Sequence, residues 1–341
     1  MTFSPRISVA MATYNGERYI REQLDSIASQ SLLPHELVVT DDGSTDATLA
    51  IVEDFARTAP FSVRICRNEV RLGFADNFMK ATSLCQGELI ALSDQDDVWL
   101  ENKLSLCCSF FVDPEVSLVA HSAWALLPSG ERGVRFPDYS RTRMTGRTRI
   151  RWYVSPPGFA MMIRRVVAQM LPGTARPEWF HSHDRWLWFL AGSVGKVATL
   201  RDALVLYRQH TTNLYGAGPP LTVAGRVRRS AGIQSFDKLA ETESTCSQLL
   251  LQAAGQNGEL SKILEESARD LAFRSKLHRA RTCIYGREAG LRMRTHAFCR
   301  ILLLGGYWPG NPWKRLGMVH GIKDLFFGVS GGYKLIDARS L

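Results

Sequence analysis

The chain has 341 residues, 45% of them hydrophobic and 22% charged, which supports a sizeable core and excludes a disordered tail. Its mean hydropathy is −0.11, no run approaches the ~18 apolar residues of a membrane span, and MTFSPRISVAMATYNG lacks a signal-peptide layout, so a spanning chain is excluded and a cytoplasmic one expected. Basic and acidic residues balance at 23 each up to residue 220, and the whole +9 net charge therefore lies in residues 221–341.

From residue 6 onward, apolar strand-like runs alternate with amphipathic stretches. Residues 7–12 read as a buried strand, and residues 19–30 as a helix with Ile20, Leu24 and Ile27 at helical spacing. A strand at 36–40 leads into Asp41-Asp42-Gly43-Ser44-Thr45-Asp46, where Ser44 or Thr45 could cap a helix over 47–57. A strand at 62–66, a helix at 74–85 and a strand at 88–93 follow, the last ending in Asp94-Gln95-Asp96-Asp97. Single helices between strands imply βαβ units and a mostly parallel sheet, whose ligands sit at the carboxyl ends of the strands. Thr13-Tyr14-Asn15, Asp41-Asp42, residues 68–73 and residues 94–97 all fall on that edge. Any one of these clusters reads more readily as an ordinary turn; four on one rim mark a candidate site.

Beyond residue 100 the alternation loosens. A helix over 104–112, a strand over 117–121 and a strand over 159–163 are expected, with a loop-rich stretch at 128–151 between the last two. That stretch carries Arg141, Arg143, Arg147, Arg149 and Arg151, which suits a solvated loop or a lid over a phosphate. An apolar helix through Leu190, a turn at Gly195 and a strand at 204–207 lead to Arg208-Gln209-His210, and from residue 219 the pattern is mainly helical, with apolar patches at 301–304 and 325–329. Trp99, Trp186 and Trp188 read as core or pocket wall. Seven cysteines with no Cys-x-x-Cys pair give neither a disulfide framework nor a zinc site.

Carboxylates crowded at the end of a buried strand repel one another unless a cation or proton neutralises them. Asp94, Asp96 and Asp97 therefore suggest a divalent metal; hard oxygen ligands favour magnesium or manganese, and a histidine ligand tilts the choice to manganese. No Gly-x-Gly-x-x-Gly follows the first strand, which argues against a dinucleotide site.

Ile7-Ser8-Val9-Ala10-Met11-Ala12-Thr13-Tyr14-Asn15-Gly16, Val38-Val39-Thr40-Asp41-Asp42-Gly43-Ser44-Thr45-Asp46, Leu92-Ser93-Asp94-Gln95-Asp96-Asp97-Val98-Trp99, His183-Asp184 and Tyr207-Arg208-Gln209-His210 occur in this order. The set is similar to that of family 2 glycosyltransferases, especially bacterial rhamnosyltransferase-like members that build surface polysaccharide, and it covers roughly residues 5–215. The resemblance implies the A-type glycosyltransferase fold: Rossmann-like α/β, a mostly parallel central sheet with helices on both faces, here with a C-terminal helical extension. It also implies a nucleotide-sugar donor, a divalent metal (Mg or Mn) and an inverting mechanism. Residues 1–100 would be the nucleotide-sugar-binding half and 101–218 the acceptor-binding and catalytic half, leaving 219–341 as a basic, mainly helical region.

Carried over by position, the resemblance puts Thr13, Tyr14 and Glu17 beside the donor base and makes Asp42 the base or ribose contact, supported by Asp41 and Ser44. Asp94 matches the position near ribose and metal, Asp96 the direct metal ligand, His210 a metal-binding or diphosphate-binding histidine, and Asp184 the general base. Asp184 also fits as a helix cap. His181 and His183 would gate or orient. Gly158-Phe159 stands where relatives often show Gly-Cys or Gly-Gly, so the acceptor pocket departs from the pattern. The implied partners are a glycan or lipid-linked acceptor and, through the basic C-terminal third, an anionic membrane touched peripherally by residues 301–304 and Phe326-Phe327; nucleic acid is not expected. Two rival classes share some of these features. Asp94-Gln95-Asp96-Asp97-Val98 also fits the signature of haloacid-dehalogenase-like phosphatases, which carry it at the first strand, and a non-catalytic nucleotide-binding protein would need no base at Asp184.

Overall fold

The computed structural model describes residues 4–147, 155–170, 176, 180, 182–210, 236–256, 258–286, 289–307, 322 and 324–329. The chain divides into two units, Met1–Pro220 and Leu221–Leu341.

In the first unit, strands β1 (Ile7–Thr13), β2 (Glu36–Asp41), β3 (Ser62–Arg67) and β4 (Leu89–Ser93) pair in the order β3-β2-β1-β4, all parallel. β1, β2 and β4 are short apolar runs buried almost throughout, the pattern of parallel strands covered on both faces, whereas β3 at the edge is only half-buried. The crossovers are α1 (Ile20–Ala28), α2 (Thr48–Ala56) and α3 (Phe74–Leu84). Ile20, Leu24 and Ile27 of α1 are fully buried, as their spacing requires.

The second half comprises β5 (Val98–Trp99), α4 (Lys103–Ser109), β6 (Val116–Leu126), β7 (Arg132–Arg135), β8 (Arg143–Thr145), β9 (Met161–Arg164), α5 (Arg165–Gln169), α6 (His183–Val194) and β10 (Lys196–Arg208). It extends the same sheet in the order β4-β9-β6-β10-β5. β9 runs antiparallel to both β4 and β6, β10 is parallel to β6, and β5 lies antiparallel to the end of β10. The α/β fold with a large central sheet is as expected, its uninterrupted parallel part being the N-terminal half.

Three local expectations are revised. The strand expected at 204–207 is thirteen residues long; exposed Arg201 and Asp202 interrupt its apolar pattern where its register with β6 shifts between Leu200 and Ala203. The strand expected at 117–121 runs on to Leu126. The stretch 128–151 contains β7 and β8, which pair with β6 and β10 through backbone while most of their arginine side chains stay near solvent, so apolar periodicity could not reveal them. Arg149 and Arg151 lie outside the described residues.

The second unit holds α7 (Phe236–Gln256), α8 (Ser261–Tyr285), α9 (Leu291–Leu303) and a π-helical turn over Asp324–Val329. Ser247 and Ser275 hydroxyls donate to the carbonyls of Ala268 and Ala240 at 2.7 Å, tying α7 to α8. Buried Asp324 accepts from Arg281 at 2.8 Å, Tyr285 at 2.7 Å and Tyr307 at 2.8 Å. No helix among the described residues is long and apolar enough to cross a membrane.

Candidate active site

The loops after β1 and β2 interlock. Register pairs Thr13 with Asp41, and the Thr13 hydroxyl donates to Asp41 Oδ1 at 2.9 Å. Asp41 also accepts the N–H of Gly43 at 3.1 Å, the N–H of Ser44 at 2.8 Å and the Ser44 hydroxyl, so it builds the turn from within. Ser44 Oγ in turn accepts the N–H of Asn15, which holds a left-handed φ of 48°. Tyr14 and Gln95 exchange backbone and amide hydrogen bonds, both at 3.0 Å, joining the β1 loop to the acid cluster. Gly16 leaves room beside them for the Gln95 amide, which a side chain at that position would displace.

The capping expectation for α2 is corrected. Ser44 faces Asp41, and the start of α2 is held instead by Asp46 Oδ1, which accepts the Thr48 N–H at 3.0 Å, and by Glu17 Oε2, which accepts the Ala47 N–H at 2.8 Å. Asp42 binds loop 68–73: its carboxylate accepts the N–H groups of Leu72 at 2.7 Å and Gly73 at 2.8 Å and the Asn68 amide at 2.9 Å. Burial raises the Asp42 carboxyl, but these donors and Arg71 outweigh it and hold it below the usual range. Arg71 also lies over the Tyr14 ring, 4.0 Å from its centre.

At the end of β4, ligand atoms of Asp94, Asp96 and Asp97 lie within 4.8 Å of one another. His210 comes to them from just past β10, with Nε2 2.8 Å from Asp96 Oδ2 and its ring stacked on Tyr19 at 5.1 Å. Arg208 fixes this approach: its N–H donates to Asp97 Oδ1 at 3.0 Å, and its guanidinium donates to the Asp96 carbonyl at 2.8 Å and to Glu22. Burial, then the charges of Asp96 and Asp184, push the Asp94 carboxyl up to about 8, while Lys103 acts the other way. Burial and the neighbouring Asp96 and Asp94 also push Asp97 well above the carboxylate range. Its Oδ2 is buried without a hydrogen-bond partner among the described residues. Crowded carboxylates with an orphaned oxygen and one imidazole are a donor set that fits Mg²⁺ or Mn²⁺.

Asp184 sits in the first turn of α6. Ser182, the residue before the helix, donates its hydroxyl to Asp184 Oδ1, and the Arg185 N–H donates to the same oxygen at 2.6 Å. Oδ2 receives no hydrogen bond among the described residues. His183 is buried and stacked on Phe78 at 4.0 Å, and neither ring nitrogen is hydrogen-bonded among the described residues; burial holds its imidazole down to about 4. It is therefore packed beneath the site. His181 lies outside the described residues. Trp99, Trp186 and Trp188 are all buried, as expected.

One participant escapes sequence reading. Lys103 is fully buried at the start of α4, donates to the Phe159 carbonyl at 2.8 Å and lies 3.4 Å from the centre of the Trp99 ring. Burial lowers its ammonium to about 7 against the pull of Cys107, Asp97 and Asp94. Leu100-Glu101-Asn102-Lys103 reads as an exposed helix start, and nothing in it signals an internal countercharge.

A parallel βαβ half ending in an acid cluster, completed by a histidine from the far half of the same sheet, defines an A-type glycosyltransferase architecture. Residues 8–171 match the family model "Glycosyl transferase family 2", so this part of the chain is a family 2 glycosyltransferase domain. Among relatives, the dTDP-rhamnosyl transferase RfbG of Shigella flexneri is 29% identical over 217 residues, 61% of this chain and 74% of that one. The UDP-Glc:alpha-D-GlcNAc-diphosphoundecaprenol beta-1,3-glucosyltransferase WfgD of Escherichia coli is 31% identical over 113 residues, 33% of this chain and 44% of that one. The chain spans about 60% of the length of the curated mycobacterial relatives it matches. A crystal structure of S. aureus TarS residues 1–349 in complex with UDP-GlcNAc shares the fold, with a TM-score of 0.52 and 18% identity over 96% of this chain and 92% of that one.

Proposed function

We propose that the chain transfers a sugar from a nucleoside-diphosphate donor to a hydroxyl of a glycan or lipid-linked acceptor, inverting the anomeric centre, in the synthesis of bacterial surface polysaccharide. The observation that carries this reading is the acid cluster after β4, whose Asp96 meets His210 from just past β10 and whose Asp94 feels the charge of Asp184 from the start of α6. Thr13, Tyr14, Glu17, Asp41, Asp42 and Ser44 form the donor rim; Tyr14 offers an exposed ring beside the base, and Asp42 contacts base or ribose while bracing loop 68–73. Asp94, Asp96 and His210 would hold a divalent cation, which supplies charge stabilisation for the leaving diphosphate.

Asp184 takes the proton of the acceptor hydroxyl as that oxygen bonds to the anomeric carbon and the bond to the diphosphate oxygen breaks. One displacement inverts configuration, and no carboxylate attacks the sugar, in contrast to retaining glycosidases. The activity named for RfbG makes dTDP-rhamnose the first donor to test, and the lipid-linked acceptor named for WfgD supports the same acceptor class here. The test is a panel of nucleotide sugars with Mg²⁺ or Mn²⁺, scored for nucleoside diphosphate release. Metal-dependent release from one donor is expected. Phosphate release from simple phosphoesters instead would favour the phosphatase class.

A further inference from the structure

We propose that the groove between α8 and α9 docks the phosphate headgroups of an anionic lipid bilayer, with the exposed leucines of α9 seated among the acyl chains. The groove has a volume of about 370 Å³; Lys276 and Arg279 line it from α8, His296 and Arg300 from α9, over a floor of Ala280 and Ala297. These residues recur three and four apart, so each helix contributes one continuous stripe to a wall. Among the described residues no carboxylate lines the groove, and none of the four basic side chains has an acidic partner. Two buried acids of this unit are engaged elsewhere: Glu243 pairs with Arg274, and Asp324 with Arg281.

Leu303 of α9, three residues on from Arg300, borders the groove. Residues 289–307 contain no Asp or Glu; in the last turn of α9 Leu302 is 42% and Leu303 87% exposed, following Arg300, and Leu291 in the first turn is 66% exposed. Cations interleaved with exposed leucines on one helix suit the bilayer interface, where each group finds its own solvent, better than they suit a small soluble anion. The sequence-based patch is thereby redrawn: Ile301 is buried against α8, Leu302–Leu304 face outward, and the side chains of Phe326 and Phe327 lie outside the described residues.

The test uses the full chain and sedimentation with vesicles of phosphatidylcholine, alone or with phosphatidylglycerol. Binding is expected only with phosphatidylglycerol at 0.1 M NaCl, and its loss at 1 M, where the screening length falls from about 10 Å to about 3 Å. Arg279→Gln with Arg300→Gln should weaken partitioning roughly thirtyfold. Leu302→Ser with Leu303→Ser should also weaken it, with melting temperature and nucleoside diphosphate binding unchanged in both variants. Those two controls separate failure of this surface from failure of the catalytic reading. Absence of sedimentation at 0.1 M NaCl, or full binding by either double variant, overturns the proposal; duplex DNA bound as tightly as the vesicles, with the leucine variant unaffected, makes the groove a general polyanion site and overturns it too.

Discussion

The imidazole of His183 occupies the space a side chain on Gly158 would need, with Nε2 overlapping the position of its first carbon. Because Asp184 follows His183 at the start of α6, the missing side chain lets the helix come close enough for its carboxylate to act on Asp94. Gly158→Ala should therefore destabilise the protein by about 1–3 kcal/mol and slow transfer. Adding His183→Ala should recover part of the stability, measured by thermal denaturation as a double-mutant cycle.

Asp184→Asn should leave donor binding intact and slow sugar transfer by roughly 10² to 10⁴. The amide oxygen can still accept from Ser182 and Arg185, so the helix start survives, but an amide cannot take the acceptor's proton. Near-normal turnover in the folded variant would reduce Asp184 to a local brace.

Asp96→Ala should abolish metal-dependent turnover and the thermal protection that Mn²⁺ gives the wild type. His210 loses its carboxylate partner in the same step. Melting curves with and without the ion, read beside nucleoside diphosphate release, test both effects.

Without metal, Asp94 should make the fold less stable as pH rises. Its carboxyl is raised from 3.8 to about 8, so over that window the native state holds a proton that the unfolded chain has released, and the slope of stability with pH from this group is negative. Asp94→Asn deletes the contribution. The melting temperature of the variant should match wild type near the lower limit and exceed it increasingly toward the upper one; a constant difference would refute the assignment.

Asp42→Ala should weaken nucleoside diphosphate binding more than it slows chemistry, and it should also release loop 68–73. The N–H groups of Leu72 and Gly73 lose their acceptor, at about 1–3 kcal/mol where such groups stay buried. Calorimetry and limited proteolysis of the loop report the two effects separately.

Much of this was legible in the sequence because short apolar runs and turn clusters are local signals. The four N-terminal strands and the rim residues Thr13, Asp41, Asp42 and Asp94 to Asp97 fall where the βαβ pattern places them. The second half was harder to read for physical reasons: β9 inserts between β4 and β6 through pairings remote in sequence, and Arg201-Asp202 hides the length of β10. Division of labour among neighbouring acids was also hidden. Asp41 builds a turn while Asp42 ties a loop, and only hydrogen-bond geometry distinguishes two adjacent carboxylates.

His210 reaches Asp96 across 114 residues of chain, held there by the antiparallel contact of β5 with the end of β10 and by the hydrogen bonds of Arg208. During synthesis the acid cluster therefore emerges long before the histidine that completes it. A chain stopped short of β10 would carry three mutually repelling carboxylates and no imidazole beside them. Pairing of Asp96 with His210 thus requires β10 to be seated in the sheet, which makes this contact one of the last features of the first unit to form.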